Sequence, residues 1–225
     1  MACGNPNAAS VLDDAASLRA EIKAANDSMI TEGRKLIQSG DLLLRTGTDF
    51  ASDEVKTFSK TDKTYSHAGI ALVVNDSIFV YHVEPDFHYI EDKVRKEPFE
   101  NFCNPEKNFG YGIARYKFSD EERKNFIAFL EDKYQKHIPF DMGFQLPTND
   151  SMYCSEMIMK GLAASTHDRI KIKIDRLDDK RKYKLIKQYF KLTEKQFVNR
   201  EIVNIDQLFL NPDCEVIKRF VFRVN

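Results

Sequence analysis

The chain lacks tryptophan, and it lacks a net charge of either sign, since its 225 residues carry a formal charge of −1. Near-neutrality excludes a general polyanion binder or an acidic-tail protein, and we expect no nucleic-acid partner. No apolar run reaches the length that spans a bilayer. No internal repeat or low-complexity tract is present. The composition therefore indicates a globular domain, and 17 phenylalanines predict a phenylalanine-rich core.

Cysteine is scarce, and its spacing excludes the commonest metal site. Cys3, Cys103, Cys154 and Cys214 lie far apart, and none belongs to a C-x-x-C pair. We therefore expect no zinc site, no other metal and no cofactor. A Cys103–Cys214 disulfide stays open, because four cysteines in a chain of this length do not require one.

The hydrophobic pattern predicts one domain behind a short tether. Residues 1–10 are expected to be a disordered N-terminal tether, and residues 11–225 a single domain. That domain starts with a helix over 11–39, where apolar residues recur at three- and four-residue steps. The small, polar start with Cys3 is similar to the tether of a bacterial lipoprotein whose signal peptide has been removed. We expect a periplasmic, cell-envelope location, with a cytoplasmic protein as the alternative.

One segment, about 168–200, differs in charge from the rest of the chain. It contains twelve Lys and Arg against five Asp and Glu, a local charge of +7. A solvated charged face is the ordinary explanation for such a run. The alternative is a basic insertion that contacts an anionic lipid or polymer.

A predicted β-hairpin carries two histidines. Residues 65–74 lead through a turn into an apolar strand with His67 at its entrance, and residues 78–84 form the second strand after a tight turn. Side chains alternate along a strand, so Val80, His82 and Glu84 share one face. A histidine and a carboxylate are thus expected next to the strand that begins with His67.

Cys154 lies where a later helix is predicted to begin. Ser151 is a plausible N-cap, which places Cys154 in the first turn. Unpaired N–H groups at a helix start stabilise a thiolate, the reactive form of cysteine. The competing explanation is a buried and inert cysteine.

A cysteine hydrolase needs a thiolate, a histidine that carries protons and a polar group that orients this histidine. Cys154 and His67 match the first two, and His82 or Glu84 matches the third. The pieces Gly40-Asp41-Leu42-Leu43, Ser66-His67-Ala68-Gly69-Ile70 and Tyr153-Cys154-Ser155-Glu156 together resemble the YiiX-like, circularly permuted NlpC/P60 group of papain-like cysteine hydrolases. The histidine strand precedes the cysteine here, as in that permuted group.

The resemblance implies a fold and a set of roles. The implied fold is α+β and papain-like (NlpC/P60), circularly permuted, with an antiparallel sheet or barrel packed against helices. It makes Cys154 the nucleophile and His67 the base. Many relatives carry Glu at the third position, where this chain has His82, so His82 and Glu84 both remain. Tyr153 is expected to contribute to the oxyanion site.

The resulting hypothesis is a cysteine amidase or peptidase. Its expected substrate is a small peptidoglycan-type peptide or an amino-acid conjugate, and the expected state is a monomer or a weak dimer. One alternative keeps the nucleophile and acts on lipids, as an acyltransferase or thioesterase. The other is a non-catalytic binding module on the same scaffold.

Overall fold

The computed structural model describes residues 6–85, 92–177, 183, 187, 193–198 and 200–224. The first helix, α1 (Pro6–Leu36), starts earlier than the expected 11–39 helix and ends three residues sooner. Residues 6–10, which we expected in a disordered tether, are therefore helical. Proline suits a first helical turn, and Ala8 and Ala9 favour a helix. Cys3 lies outside the described residues.

The remaining helices and the strands follow in short elements. The helices are α2 (Phe50–Lys56), α3 (Phe99–Phe102), α4 (Asp120–Gln135), α5 (Cys154–Thr166), α6 (Glu194–Phe197) and α7 (Ile205–Phe209). The strands are β1 (Leu42–Gly47), β2 (His67–Val74), β3 (Ser77–His82), β4 (Arg95–Pro98), β5 (Asn108–Tyr116), β6 (Asp175–Arg176), β7 (Glu201–Ile202) and β8 (Cys214–Val221).

Six of the described strands form one antiparallel sheet in the order β4-β3-β2-β1-β5-β8. The predicted hairpin is its β2–β3 pair, in which Ile70 is opposite Tyr81. Asn75 makes the turn with a φ of 50°, a left-handed conformation that asparagine tolerates. The mixed α+β class with an antiparallel sheet against helices is thus confirmed.

The sheet is covered on both faces, and strand alternation divides its side chains between two cores. Leu42 and Leu44 face α4 and α5, whereas Leu43 faces the opposite side with Phe99 and Phe102. Each face buries phenylalanine, as the composition predicted. The α5 helix lies directly on β2, and this contact carries Cys154 to the strand that begins with His67.

The C-terminal part of α1 packs against the face of the sheet that carries Leu43. The Tyr111 hydroxyl donates to the Met29 carbonyl at 2.7 Å, and Asn26 exchanges two hydrogen bonds with the Arg223 backbone. The helix runs unbroken past Gly33, where a Cβ would lie 2.1 Å from the Tyr111 hydroxyl oxygen. This glycine therefore allows a close approach and is not a break in the helix.

The basic 168–200 segment is described only in part. Arg169 forms ion pairs with Glu122 at 2.8 Å and Asp213 at 3.7 Å, so part of its charge is neutralised within the domain. Contact of this segment with an anionic lipid or polymer stays a prediction. Within the described ranges, no helix combines the length and apolarity that a bilayer crossing needs. Cys103 and Cys214 are both free thiols.

Candidate active site

The two histidines of the hairpin are brought together by strand pairing. His67, the first residue of β2, pairs with Arg45 of β1, and its Nε2 lies 3.0 Å from Nδ1 of His82 on β3. Gly69 leaves room for this contact, because a Cβ there would lie 3.2 Å from the His82 Cβ. His82 is fully buried and His67 is 8% exposed. The pair is therefore a largely dry imidazole–imidazole contact.

Glu84 also approaches His67, but it is held by cations. Its carboxylate forms ion pairs with Arg45 and with Arg95, the latter at 3.3 Å, and lies 3.8 Å from Nε2 of His67. Burial acts to raise the pKa of Glu84, yet the Arg45 charge and its neighbours hold that pKa at about 2. Of the two expected partners of His67, His82 is therefore the nearer.

The surroundings of His67 keep its ring neutral. Burial lowers the pKa of His67 well below 6.5, and the positive charge of Arg45 lowers it further, while Glu84 opposes both. A neutral imidazole has one nitrogen with a free lone pair. His67 is therefore in the state that can accept a proton.

Cys154 is the first residue of α5, and the sequence predicted it in the first turn of this helix. The N-cap is Tyr153, in an extended conformation, and not Ser151 as expected. The Glu156 carboxylate accepts from the Tyr153 backbone N–H at 3.1 Å, and this contact closes the helix start. The helix therefore begins at the cysteine itself.

Burial of the Cys154 thiol opposes the thiolate that we expected at a helix start. Burial raises the pKa of the thiol to about 11, although the backbone N–H groups of Ala68 and Ser155 act to lower it. A helix start contributes only about 0.3–1 kcal/mol, less than one pKa unit. Desolvation of the anion outweighs that contribution.

Cys154 and His67 border one cavity of about 490 Å³. The thiol lies against the N–H of Ala68, the residue after His67. No hydrogen bond joins the Cys154 and His67 side chains among the described contacts. The side chains of Val55, Phe58, Phe140, Phe144, Ile202 and Ile205 provide much of the remaining wall.

Tyr153 lies in the wall of the same cavity. Its hydroxyl oxygen accepts from the Val203 N–H at 2.9 Å, and its ring packs against Phe144 with 4.9 Å between centroids. Burial raises the pKa of Tyr153 well above 10, so the hydroxyl keeps its proton. The hydroxyl hydrogen therefore remains able to donate to a bound group.

The comparison that decides the family covers most of the chain. Residues 36–197 match the model of the C92 family, the permuted papain-like amidases of the YaeF/YiiX type. The chain belongs to the C92 family. This match includes β1, β2 and α5, the three elements that position His67 and Cys154.

A crystal structure with the same fold supports the C92 assignment. It is the metalloprotein yiiX from Escherichia coli O157:H7, with a TM-score of 0.65 and 17% sequence identity over 81% of this chain and 97% of that chain. At this identity the likeness shows the fold alone. No curated protein matches the sequence.

Sequence reasoning missed several residues of this C92 site. Arg45 and Arg95 ion-pair with Glu84, and Glu97 of β4 lies 2.8 Å from Nε2 of His82. Of the other histidines, His137 and His167 are exposed at helix ends and do not join the site, and His88 lies outside the described residues.

One cluster in the site has ligand types that could hold a metal. The nitrogens of His67 and His82 and a carboxylate oxygen of Glu84 lie within 4.8 Å of one another. The charges around it do not fit a cation, because Arg45 and Arg95 already neutralise Glu84. The facing histidine nitrogens also share a contact that a metal would have to break. The cluster therefore fits a proton relay better than a metal site.

The raised pKa of Cys154 predicts a steep pH dependence of its alkylation. Only the thiolate reacts, so the iodoacetamide rate constant at Cys154 should rise about tenfold per pH unit from pH 7 toward pH 11. Peptide mass spectrometry after timed labelling measures this rate, with Cys154→Ser as the control for other thiols. A rate that is already maximal at pH 6 would reveal a resting thiolate and contradict the prediction.

Proposed function

We propose that this protein is a cysteine amidase in which Cys154 is the nucleophile, His67 the general base and His82 the residue that orients His67. The observation that carries the proposal is the buried contact between Nε2 of His67 and Nδ1 of His82 beside the cavity that Cys154 borders. Membership of an amidase family supports the same chemistry.

The proposed reaction starts from a neutral Cys154 thiol and a neutral His67 imidazole. Because Nε2 of His67 faces His82, its Nδ1 is the nitrogen left to take the Cys154 proton. Sulfur then attacks the amide carbonyl carbon, and the amine leaves with the proton that His67 returns. Water, activated by His67, hydrolyses the thioester and restores the thiol. Neither the thiol nor the imidazole needs to be charged before substrate arrives.

The oxyanion formed by this attack has a donor in the cavity wall. Tyr153 has one hydroxyl hydrogen that no described acceptor uses, since its oxygen accepts from Val203. We assign this hydrogen to the developing oxyanion, together with the backbone N–H at the helix start. Its raised pKa favours this role, because the hydroxyl stays protonated at working pH.

The cavity favours a substrate with an apolar acyl side. Phe58, Phe140 and Phe144 are among its wall residues, whereas charge is concentrated near Arg45 and Glu84. A peptidoglycan-type peptide or an amino-acid conjugate with an apolar acyl group fits this division. The same wall supports the second candidate, cleavage or transfer of a lipid acyl chain. Hydrolysis rates for coumarin amides with acyl groups from acetyl to dodecanoyl distinguish the amidase from the lipid-acyl enzyme, because they show which chain length the protein prefers.

Replacement of Cys154 tests the proposal directly. Cys154→Ala should lower kcat/KM for the best substrate of a peptide and acyl coumarin amide panel by at least about 10³-fold. Cys154→Ser is the matched control, because it keeps the size and hydrogen bonding of the side chain. Both variants should unfold at the wild-type temperature. Unchanged hydrolysis by Cys154→Ala would favour the non-catalytic binding module.

A second prediction concerns which of two residues, His82 or Glu84, orients His67. His82→Gln removes the nitrogen that holds His67 and should lower kcat on the order of 10³-fold. Glu84→Gln keeps an oxygen between Arg45 and Arg95 and should lower kcat less than about tenfold. Steady-state kinetics on one substrate compare the two variants. A larger effect of Glu84→Gln would give Glu84 the orienting role.

The charge of the cluster predicts how the protein responds to metals. Dialysis against EDTA should leave kcat unchanged, because Arg45 and Arg95 disfavour a cation beside Glu84. Added Zn²⁺ should inhibit, since the metal competes for the Cys154 sulfur and the His67 ring. Loss of activity in EDTA that zinc restores would show instead that this chain, similar in fold to a structure named a metalloprotein, needs a metal for activity.

A further inference from the structure

A carboxylate lies behind the histidine pair, on the side away from the cavity. Glu97 is on β4, opposite Val80 of β3, and its Oε1 is 2.8 Å from Nε2 of His82. The two atoms are not aligned as a linear hydrogen bond, so the contact acts mainly through charge. The His82 side chain is fully buried and that of Glu97 is 27% exposed, so water screens this charge only from the Glu97 side.

The 3.0 Å contact between the histidines permits two proton arrangements. A single hydrogen lies between Nε2 of His67 and Nδ1 of His82. If it belongs to His67, the second nitrogen of His67, Nδ1, has a free lone pair, and His82 has its hydrogen on Nε2. If it belongs to His82, then His67 has its hydrogen on Nδ1. Only the first arrangement leaves His67 able to take the Cys154 proton.

We infer that Glu97 is a positioning residue that selects the first arrangement. A carboxylate oxygen 2.8 Å from Nε2 of His82 attracts an N–H there and repels a lone pair. Glu97 thus places the His82 hydrogen on Nε2, so that Nδ1 of His82 accepts from His67. The effect passes through His82 to His67 and reaches neither substrate nor sulfur directly.

Other charges also lie near the histidine pair. Arg45 and Arg95 ion-pair with Glu84, Arg95 is opposite His82 in the β3–β4 register, and the ring of Phe102 lies 5.2 Å from the His82 ring. Among the described ion pairs, Glu97 is the carboxylate at Nε2 of His82. Glu84, the carboxylate nearest to the sulfur side, approaches Nε2 of His67 and not Nε2 of His82. The inference rests on the proposed function, because it assumes that His67 is the base for Cys154.

The test measures tautomers and turnover separately. In wild-type protein labelled with ¹⁵N-histidine, long-range NMR correlations should show His82 with a protonated Nε2 and an unprotonated Nδ1. The signals that disappear in the His82→Gln variant are thereby assigned to the His82 ring. Glu97→Leu, which keeps the bulk but removes the charge, should show a mixture of tautomers. Its kcat should fall about 10–100-fold with KM unchanged.

Two further variants separate positioning from structural damage. Glu97→Asp keeps the negative charge on a shorter side chain and should recover part of the lost kcat. Glu100→Gln removes a nearby carboxylate that pairs with Arg34 and should change neither tautomers nor kcat. A drop in melting temperature with an unchanged His82 tautomer would show a structural role only and overturn the inference.

The wild-type spectrum is decisive by itself, even if Glu97→Leu does not fold. A hydrogen on Nδ1 of His82 in the wild-type protein would overturn the inference while leaving the Cys154 result untouched. Conversely, unchanged hydrolysis by Cys154→Ala would remove the proposed function, and the spectrum would still report whether Glu97 sets the tautomer of His82. The two failures are therefore distinguishable.

Discussion

The site depends on one buried contact, the pairing of His67 with His82 across the β2–β3 hairpin. Two imidazole nitrogens 3.0 Å apart can share only one hydrogen, so the hydrogen position on one ring constrains that on the other. The strands make this contact possible, because their register brings the rings together and Gly69 leaves space between them. In the proposed mechanism, proton acceptance from Cys154, orientation of His67 and the influence of Glu97 all depend on this pair.

Burial gives the site its resting charges. It raises the pKa of Cys154 to about 11 and lowers that of His67 well below 6.5, so both groups are neutral before substrate binds. The ion pairs of Glu84 with Arg45 and Arg95 neutralise its carboxylate and leave one positive charge in excess beside the site. In this arrangement the positive helix start is a minor influence on the resting thiol. Its N–H groups become important where negative charge develops, during attack on the carbonyl.

The C92 family match rests on the sequence, and the yiiX match rests on the structure; both support the same fold. The sequence identity is only 17%, yet 97% of that structure is covered by this chain, so the likeness shows a shared fold. The chemistry of the cluster is a property of this chain's own residues. Here the two arginines and the histidine pair favour proton transfer over metal coordination.

By itself, the sequence determined the elements that carry chemistry: a hairpin with His67 and His82, a helix with Cys154 in its first turn, and their permuted order along the chain. Local periodicity and helix-start signals suffice for these, because they depend on neighbouring residues. Only the tertiary structure decided which groups meet. Glu97 reaches His82 through the pairing of β3 with β4, and Arg45 reaches Glu84 from another strand. It also reversed the expected charge of Cys154, since desolvation depends on everything packed around the sulfur and no short stretch of sequence specifies it.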